Sequence, residues 1–361
     1  MASRGCWRVS SSSAWIGSSQ RVKRIRPPRL GPVARGRGRA YNGGGLNEPL
    51  LLIANPYAGR ISDLLPVILR VLRTQRIAYD VRHAARFEEL SALAAAAAQE
   101  GFRAVVAVGG DGTVNGVANG IMQAGGRLPL GIIPAGTANE FARALPIPRS
   151  VVRAVATLAE GVAGAVDIAQ VNDRYFLNLF GFGFDARVAA GASRLRDRVL
   201  LRGRAVYYLA TLLEIASSRE PLEVEVTTEQ EVFRGRVLFV AAVNGRMYGE
   251  RVVALPTPGL RDGLLDLYVV RDMRRIRSIN AAVKMIRRTP IPEIVVQRAR
   301  EATIRAERPV EAHVDGNLLG TFEWMHARIV PRGIRILLPP EALPWQEKAV
   351  AAREAPVNRV R

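Results

Sequence analysis

Apolar residues fall in two textures along this chain, and the textures meet near Asp167. From Leu50, short apolar runs alternate with longer segments whose apolar residues recur at helical spacing. Leu50–Ala54, Ile77–His83, Ala104–Val108 and Leu130–Ile133 read as strands. Asp63–Arg76, Phe87–Gln99, Val151–Glu160 and segments starting at Val114 and Glu140 read as helices. This alternation predicts a parallel sheet with right-handed crossovers. After Asp167, strand-like runs dominate: Tyr175–Phe180, Leu222–Thr228, Val232–Asn244, Leu264–Arg271, Glu293–Val296, Ala302–Arg305 and Ala327–Ile329. They predict a second, sheet-rich domain, a β-sandwich interrupted by helices at Tyr207–Ser217 and Arg274–Arg287.

The pattern divides the chain into a leader (residues 1–47), an α/β nucleotide-binding domain (48–165), a β-rich domain (166–333) and a solvated tail (347–361). The leader is rich in Ser, Arg and Gly, free of acid and without a periodic apolar face, so it reads as disordered.

Three strand exits carry the candidate chemistry. Val105-Val-Ala-Val-Gly-Gly-Asp-Gly-Thr-Val-Asn115 runs from a buried strand through a glycine loop into a helix. Unpaired N–H groups at a helix start suit phosphate, and glycine lets the backbone approach it closely. Asp111 lies within that loop, where a carboxylate beside phosphate calls for a cation or a transferable proton. The pattern points to ATP with Mg²⁺. Asn55-Pro-Tyr-Ala-Gly59 and Leu130-Gly-Ile-Ile-Pro-Ala-Gly-Thr-Ala-Asn-Glu-Phe141 are further exits of the same kind. Three such loops lie along one edge of a parallel sheet, where ligands bind in doubly wound folds. No Gly-x-x-x-x-Gly-Lys-Ser/Thr motif is present, so this is not a P-loop kinase.

With these loops the chain resembles the diacylglycerol kinase catalytic-domain family, which includes bacterial lipid kinases and sphingosine kinases. The resemblance continues through Ala165-Val-Asp-Ile168, Tyr175-Phe-Leu-Asn-Leu-Phe-Gly-Phe-Gly-Phe-Asp185, Val243-Asn-Gly-Arg-Met-Tyr-Gly249, Leu260-Arg-Asp-Gly-Leu-Leu-Asp266 and Val314-Asp-Gly316, covering residues 48 to 340. The Gly-Gly-Asp-Gly-Thr loop is shared with phosphofructokinases and NAD kinases; the two later Asp-Gly segments favour lipid kinases. The resemblance implies a phosphofructokinase/NAD kinase-like first domain, a β-sandwich second domain, and a last strand, Ile334–Leu338, that returns to the first. It implies transfer of the γ-phosphoryl group of ATP to a lipid hydroxyl in a cleft between the domains. NAD kinase is the rival enzyme, although no Gly-Ser-Thr-Ala-Tyr segment is found. A non-catalytic lipid or nucleotide sensor is the rival from another class.

Phosphoryl transfer needs placed phosphates, a cation and a proton acceptor near the acceptor hydroxyl. The phosphate candidates are Asn55, Gly59, Gly109, Gly110, Gly112, Thr113, Gly136 and Thr137, with both threonines also readable as helix caps. Asn139 reads as orienting the acceptor or as a cap. Asp111, Asp167 and Asp315 form the candidate catalytic set. Asp167 lies within an apolar strand-like run and needs a partner if buried; the resemblance implies that it looks toward the acceptor hydroxyl of the substrate and the base network. Asp315 alone would read as an Asp-Gly hairpin turn; the resemblance makes it the catalytic acid/base. By the same resemblance Asp262 marks a structural Mg²⁺ site with the backbone of Gly259 and Leu264, against the plain reading of another Asp-Gly turn. The chain departs from the family pattern at Gly116, where Glu is usual, at His83, where a Thr is usual, and at Asn317, where the family places a Glu taken as the proton acceptor.

The formal charge of +20 favours anionic surfaces or phosphate substrates, and half of it lies in the leader. Nucleic acid is not expected, because no recognition motif or aromatic-interleaved basic stripe appears. Arg194, Arg196, Arg198, Arg202 and Arg204, and Arg274, Arg275, Arg277, Lys284, Arg287 and Arg288, form two basic clusters suited to an anionic membrane surface. No apolar run approaches 20 residues, so the expectation is a cytoplasmic protein peripherally attached to membranes, with homodimerisation left open.

Overall fold

The computed structural model describes residues 48–196, 221–244, 259–274 and 291–342, with scattered positions within 210–214 and 277–284. The first domain is a sheet covered on both faces. Strands β1 (Leu50–Ala54), β2 (Tyr79–His83), β3 (Ala104–Gly109) and β4 (Leu130–Pro134) run parallel in the order β2-β1-β3-β4. All residues of β1 and β3 are buried, as expected for central parallel strands with helices on each face. Helices α1 (Ile61–Thr74) and α5 (Val151–Glu160) bury one side; α2 (Phe87–Ala96) and α3 (Asp111–Gln123) bury the other. Helix α4 (Glu140–Ala144) follows the β4 loop.

Helix α3 begins at Asp111, three residues before the predicted start, so the Asp-Gly-Thr of the glycine loop is the first helical turn. A Cβ at Gly116 would lie 2.8 Å from Cβ of Leu90 on α2. Close packing of α2 on α3 therefore accounts for glycine at a position where the resemblance led one to expect Glu.

The second domain continues the sheet through β5 (Val162–Val171), β6 (Arg174–Phe176), β7 (Leu179–Gly183), β8 (Leu222–Thr228), β9 (Val232–Val243), β10 (Leu265–Arg271), β11 (Ile294–Ala299), β12 (Glu301–Val314) and β13 (Asn317–Leu338). The order β11-β10-β9-β7-β12-β13 leads into β4, and β8 bridges β12 and β9. Side chains of these strands form a separate core around Phe176, Phe180, Phe182, Val240, Leu267 and Ile304. Strand β13 crosses between the two layers. Its first part pairs with β12; its register against β5 breaks between Val330 and Ile334; beyond the break Ile336 pairs in parallel with Leu130.

Strand β5 passes through Asp167, in keeping with the strand-like run around it. Three local expectations are corrected. The run Tyr175–Phe180 is two strands separated by Leu177 and Asn178. Strands β12 and β13 are long rather than fragmentary. A helix, α6 (Phe184–Arg196), stands where no element was read. The stretches Tyr207–Ser217 and Arg274–Arg287 lie mostly outside the described residues.

Candidate active site

The three glycine loops meet at the C-terminal edge of β1, β3 and β4. Backbone bonds tie them: Asn55 N–H donates to Val108 C=O (3.1 Å), Ala135 N–H to Gly109 C=O (2.9 Å), and Arg60 N–H to Ala135 C=O (3.3 Å). Gly136 lies so close to the next loop that a Cβ would fall 2.3 Å from Cα of Gly110; a Cβ on Gly59 would fall 2.4 Å from the Ala135 oxygen. Glycine is therefore required for the loops to converge. Gly112, at the start of α3, is exposed, as is Thr137. Thr113 is buried with its hydroxyl packed behind Gly109. The Asn55 carboxamide oxygen accepts the Tyr57 N–H (3.0 Å) and shapes the first loop. Asn139, at φ 49°, closes the third loop on itself, accepting from Gly136 N–H (3.0 Å) and donating to Gly136 C=O (2.8 Å). Beside the first loop lies a hollow of about 390 Å³ with Tyr57, His83 and Arg86 in its walls.

Helix α3 carries a polar stripe at helical spacing, Asp111, Asn115 and Asn119, toward the second domain. Asn119 accepts from Tyr175 N–H (2.9 Å) and donates to Tyr175 C=O (2.9 Å). Asn115 donates to Asp315 Oδ2 at 2.7 Å. The 200-residue separation between Asn115 and Asp315 is thus closed at the junction of the α/β layer and the sandwich.

Asp315 and Gly316 form the two-residue turn of the β12–β13 hairpin, both at positive φ (46° and 81°) with Val314 paired to Asn317. The Asp-Gly turn reading is therefore correct as geometry. The turn also points its carboxylate inward. Oδ2 accepts Leu177 N–H (2.9 Å) in addition to Asn115; Oδ1 accepts Asn178 and Leu179 N–H (both 2.9 Å). Four donors match the four lone-pair positions of a carboxylate. Asp111 Oδ1 accepts Phe141 N–H (3.0 Å) and so joins the second and third loops. Burial pushes the pKa of both carboxyls up against the pull of their backbone donors, and the charge of Asp111 adds to the rise at Asp315. Asn317 stands over the start of α3, its Oδ1 3.8 Å from where a Cβ on Gly112 would be. Its Nδ2 is buried and meets no hydrogen-bond acceptor among the described residues.

Asp167 is fully buried, and both carboxylate oxygens are engaged elsewhere: Gly263 N–H donates to Oδ2 and Arg332 N–H to Oδ1, each at 2.7 Å. It fastens the bend of β13 at Arg332 to the loop before β10. Asp262 lies in that loop, and its carboxylate accepts Gly259 N–H and Leu264 N–H (both 3.1 Å) and Arg298 Nη2 (2.6 Å). Asn244, whose amide donates to the carbonyls of Asp167 (3.1 Å) and Leu177 (3.0 Å), ties that region to the Asp315 turn. Asn119, Asn244 and Arg298 were not singled out from sequence. The signal for Asn119 was available in the i, i+4, i+8 spacing from Asp111 within an otherwise apolar helix.

Residues 49–171 match the model of the diacylglycerol kinase catalytic domain, and residues 178–338 match that of the YegS C-terminal NAD kinase beta sandwich-like domain. A diacylglycerol kinase of Bacillus subtilis (strain 168) is 32% identical over 250 residues, 68% of this chain and 80% of the relative. The chain belongs to the diacylglycerol kinase family. Members are lipid kinases, and the chain is an enzyme of that class. The Citrobacter koseri protein named "Probable lipid kinase YegS-like" is also 32% identical, over 68% of this chain and 81% of its own length. A crystal structure of a diacylglycerol kinase from Bacillus anthracis str. Sterne superposes with a TM-score of 0.63 at 22% identity, covering 82% of this chain and 98% of that one, and so shares the fold.

Proposed function

We propose that this kinase transfers the γ-phosphoryl group of ATP to a hydroxyl of a diacylglycerol-like membrane lipid, giving a phosphatidate-type product. The observation that carries the reading is the meeting of the glycine loops with the Asp111–Asn115–Asp315 network at one end of α3. The start of α3 and the exposed Gly112 offer N–H groups and partial positive charge to phosphate. The hollow beside the first loop suits the nucleoside. The part-buried Asp111 and Asp315 carboxyls, which interact electrostatically at the start of α3, fit a divalent cation arriving with ATP; Asp111 is the residue that would hold it. Bound Mg²⁺ would neutralise developing charge on the phosphoryl oxygens.

Asn317 cannot take a proton. Its buried, unpartnered Nδ2 instead suits donation to a phosphoryl oxygen above Gly112. The proton of the acceptor hydroxyl then goes to the Asp111–Asp315 pair: burial raises the proton affinity of both carboxyls, and the charge of Asp111 raises that of Asp315 further. A loose phosphoryl-transfer transition state asks little of a base, so a strongly hydrogen-bonded Asp315 remains compatible with turnover. Asp167, engaged by backbone on both oxygens, holds the domain junction rather than touching the substrate.

Among the described residues no helix is long and apolar enough to cross a membrane. The lipid is therefore met at a surface in this reading. Of the basic clusters, Arg198, Arg202, Arg204, Arg275, Arg287 and Arg288 lie outside the described residues. Transfer from radiolabelled ATP to a panel of lipids in mixed micelles, with NAD included, is the test. Labelling of diacylglycerol or a similar lipid alcohol is expected. Labelling of NAD alone, or ATP binding without any transfer, would overturn the proposal.

A further inference from the structure

The loop Gly259–Leu264 is where the family resemblance led us to expect a structural Mg²⁺, and its residues do not fit one. A hard cation there would need oxygen ligands. Gly259 and Leu264 instead direct N–H groups at the Asp262 carboxylate, and the Gly259 carbonyl accepts the Asp262 N–H (3.2 Å). Among the described residues no group of three metal-binding side chains occurs.

The place of a positive charge is already taken. Arg298 reaches from β11, placing Nη2 2.6 Å from Asp262 Oδ2 and Nε 2.8 Å from Asp266 Oδ1 on β10. The two carboxylate side chains are only 11% and 6% exposed. Their buried charges require compensation, and a planar guanidinium fork bridges two carboxylates in a way a Lys ammonium does not. We propose that Arg298 is a built-in cation that replaces a bound metal ion in this loop and makes the fold of the second domain independent of divalent cations.

The consequence reaches the active site through hydrogen bonds. Leu260 C=O accepts Asp167 N–H (2.8 Å), Gly263 N–H donates to the Asp167 carboxylate, and Asp167 in turn holds the bend of β13. Strand β13 begins at Asn317, directly after the Asp315 turn. Arg298 thus clamps β10, β11 and the loop on which the domain junction rests. Any divalent requirement of the enzyme would then belong to the nucleotide.

Thermal unfolding of the full chain without nucleotide, in EDTA and in millimolar Mg²⁺, is the test. The midpoint is expected to be the same in both. Arg298→Met should lower it by roughly 5–15 °C in both conditions, as for removal of one partner of a buried ion pair, and Arg298→Lys should recover part of the loss. A Mg²⁺-dependent rise of the wild-type midpoint that Asp262→Asn abolishes would overturn the proposal. A rise that Asp262→Asn leaves intact places the ion elsewhere and supports it. An Arg298→Met chain as stable as wild type would also overturn it. A variant that fails to fold is consistent with the clamp, and the wild-type comparison still decides the metal question.

Discussion

Two Asp-Gly turns in this chain start from the same dipeptide and end in opposite electrical states. At Asp262-Gly263 the carboxylate gathers backbone N–H groups and then an arginine, so its charge is closed within the protein. At Asp315-Gly316 the carboxylate gathers three backbone N–H groups and an asparagine amide, and among the described residues no cationic side chain pairs with it. The ionisable neighbour whose charge it feels is another carboxylate, Asp111, at the start of α3. A buried carboxylate next to a like charge is tolerable in a binding site because the ligand brings the compensating cation. In the proposed function the contrast separates a turn that stabilises from a turn that works, and it rests on partners far away in sequence.

The largest expected effect would break or sustain this contrast directly. Asp315→Ala should reduce turnover by roughly 10²–10⁴-fold per folded molecule, the range usual for loss of a group that handles a proton. Asp262→Ala should lower stability while leaving turnover of the folded fraction within a few-fold. Initial phosphorylation rates normalised to folded protein check both. Equal losses of turnover would show that the two turns are not different in kind.

The resemblance implied different roles for the two turns, but the difference in charge compensation could not be read from the sequence. Each turn alone was legible as Asp-Gly, and so were the three glycine loops and strands β1, β3 and β4, because central parallel strands buried on both faces leave continuous apolar runs. Strands β12 and β13 were harder. Exposed charged residues such as Glu307, Arg308 and Glu311 break the apolar alternation, so one hairpin read as fragments. Helix α6 contains Gly191 and three arginines and lacks a clear apolar period. The pairing of Asn115 with Asp315, and of Arg298 with Asp262 and Asp266, depends on strand order and register, which local pattern does not determine. One arginine among many carried no sign that it would take the place expected for a metal.

Asn317 offers the next effect in size. If its Nδ2 donates to a phosphoryl oxygen, Asn317→Ala should slow transfer about 10–100-fold, as for a hydrogen bond to a charged group. Asn317→Glu should not restore rate, because it adds a third carboxylate facing the phosphates. A gain of orders of magnitude in Asn317→Glu would show that this chain lacks its base, and that the Asp111–Asp315 pair does not receive the proton. Steady-state rates with ATP affinity measured separately distinguish the cases.

Asp111 sharpens the same point through stability. Its folded-state pKa is raised by burial, so the ionised form is disfavoured by folding. The resulting stability is present at pH below the unfolded value and is lost as pH rises through the folded one. Asp111→Asn keeps an oxygen for the Phe141 N–H and removes the charge. It should abolish most activity, match wild-type stability near pH 4, and exceed it near pH 8. An unchanged pH dependence of the unfolding midpoint would remove the electrostatic cost attributed to Asp111 in the glycine loop.

The smallest effect tests whether the closed turn is fully compensated. Two carboxylates share one guanidinium, and Asp266 Oδ2 has no hydrogen-bond partner among the described residues. Burial therefore pushes the Asp266 carboxyl up to about 6, against the attraction of Arg298 and with the repulsion of Asp262. Folding favours its protonated form, so stability should decline as pH rises from about 4 to about 6 and stay lower above that. Asp266→Asn keeps an oxygen for Arg298 Nε and leaves the guanidinium charge to Asp262 alone. Its unfolding midpoint should match wild type at pH 4 and lie above it at pH 8, by on the order of a few degrees. A midpoint below wild type at pH 8 would mean that both carboxylates are needed to hold Arg298, and that the cation in this turn is balanced by two charges rather than one.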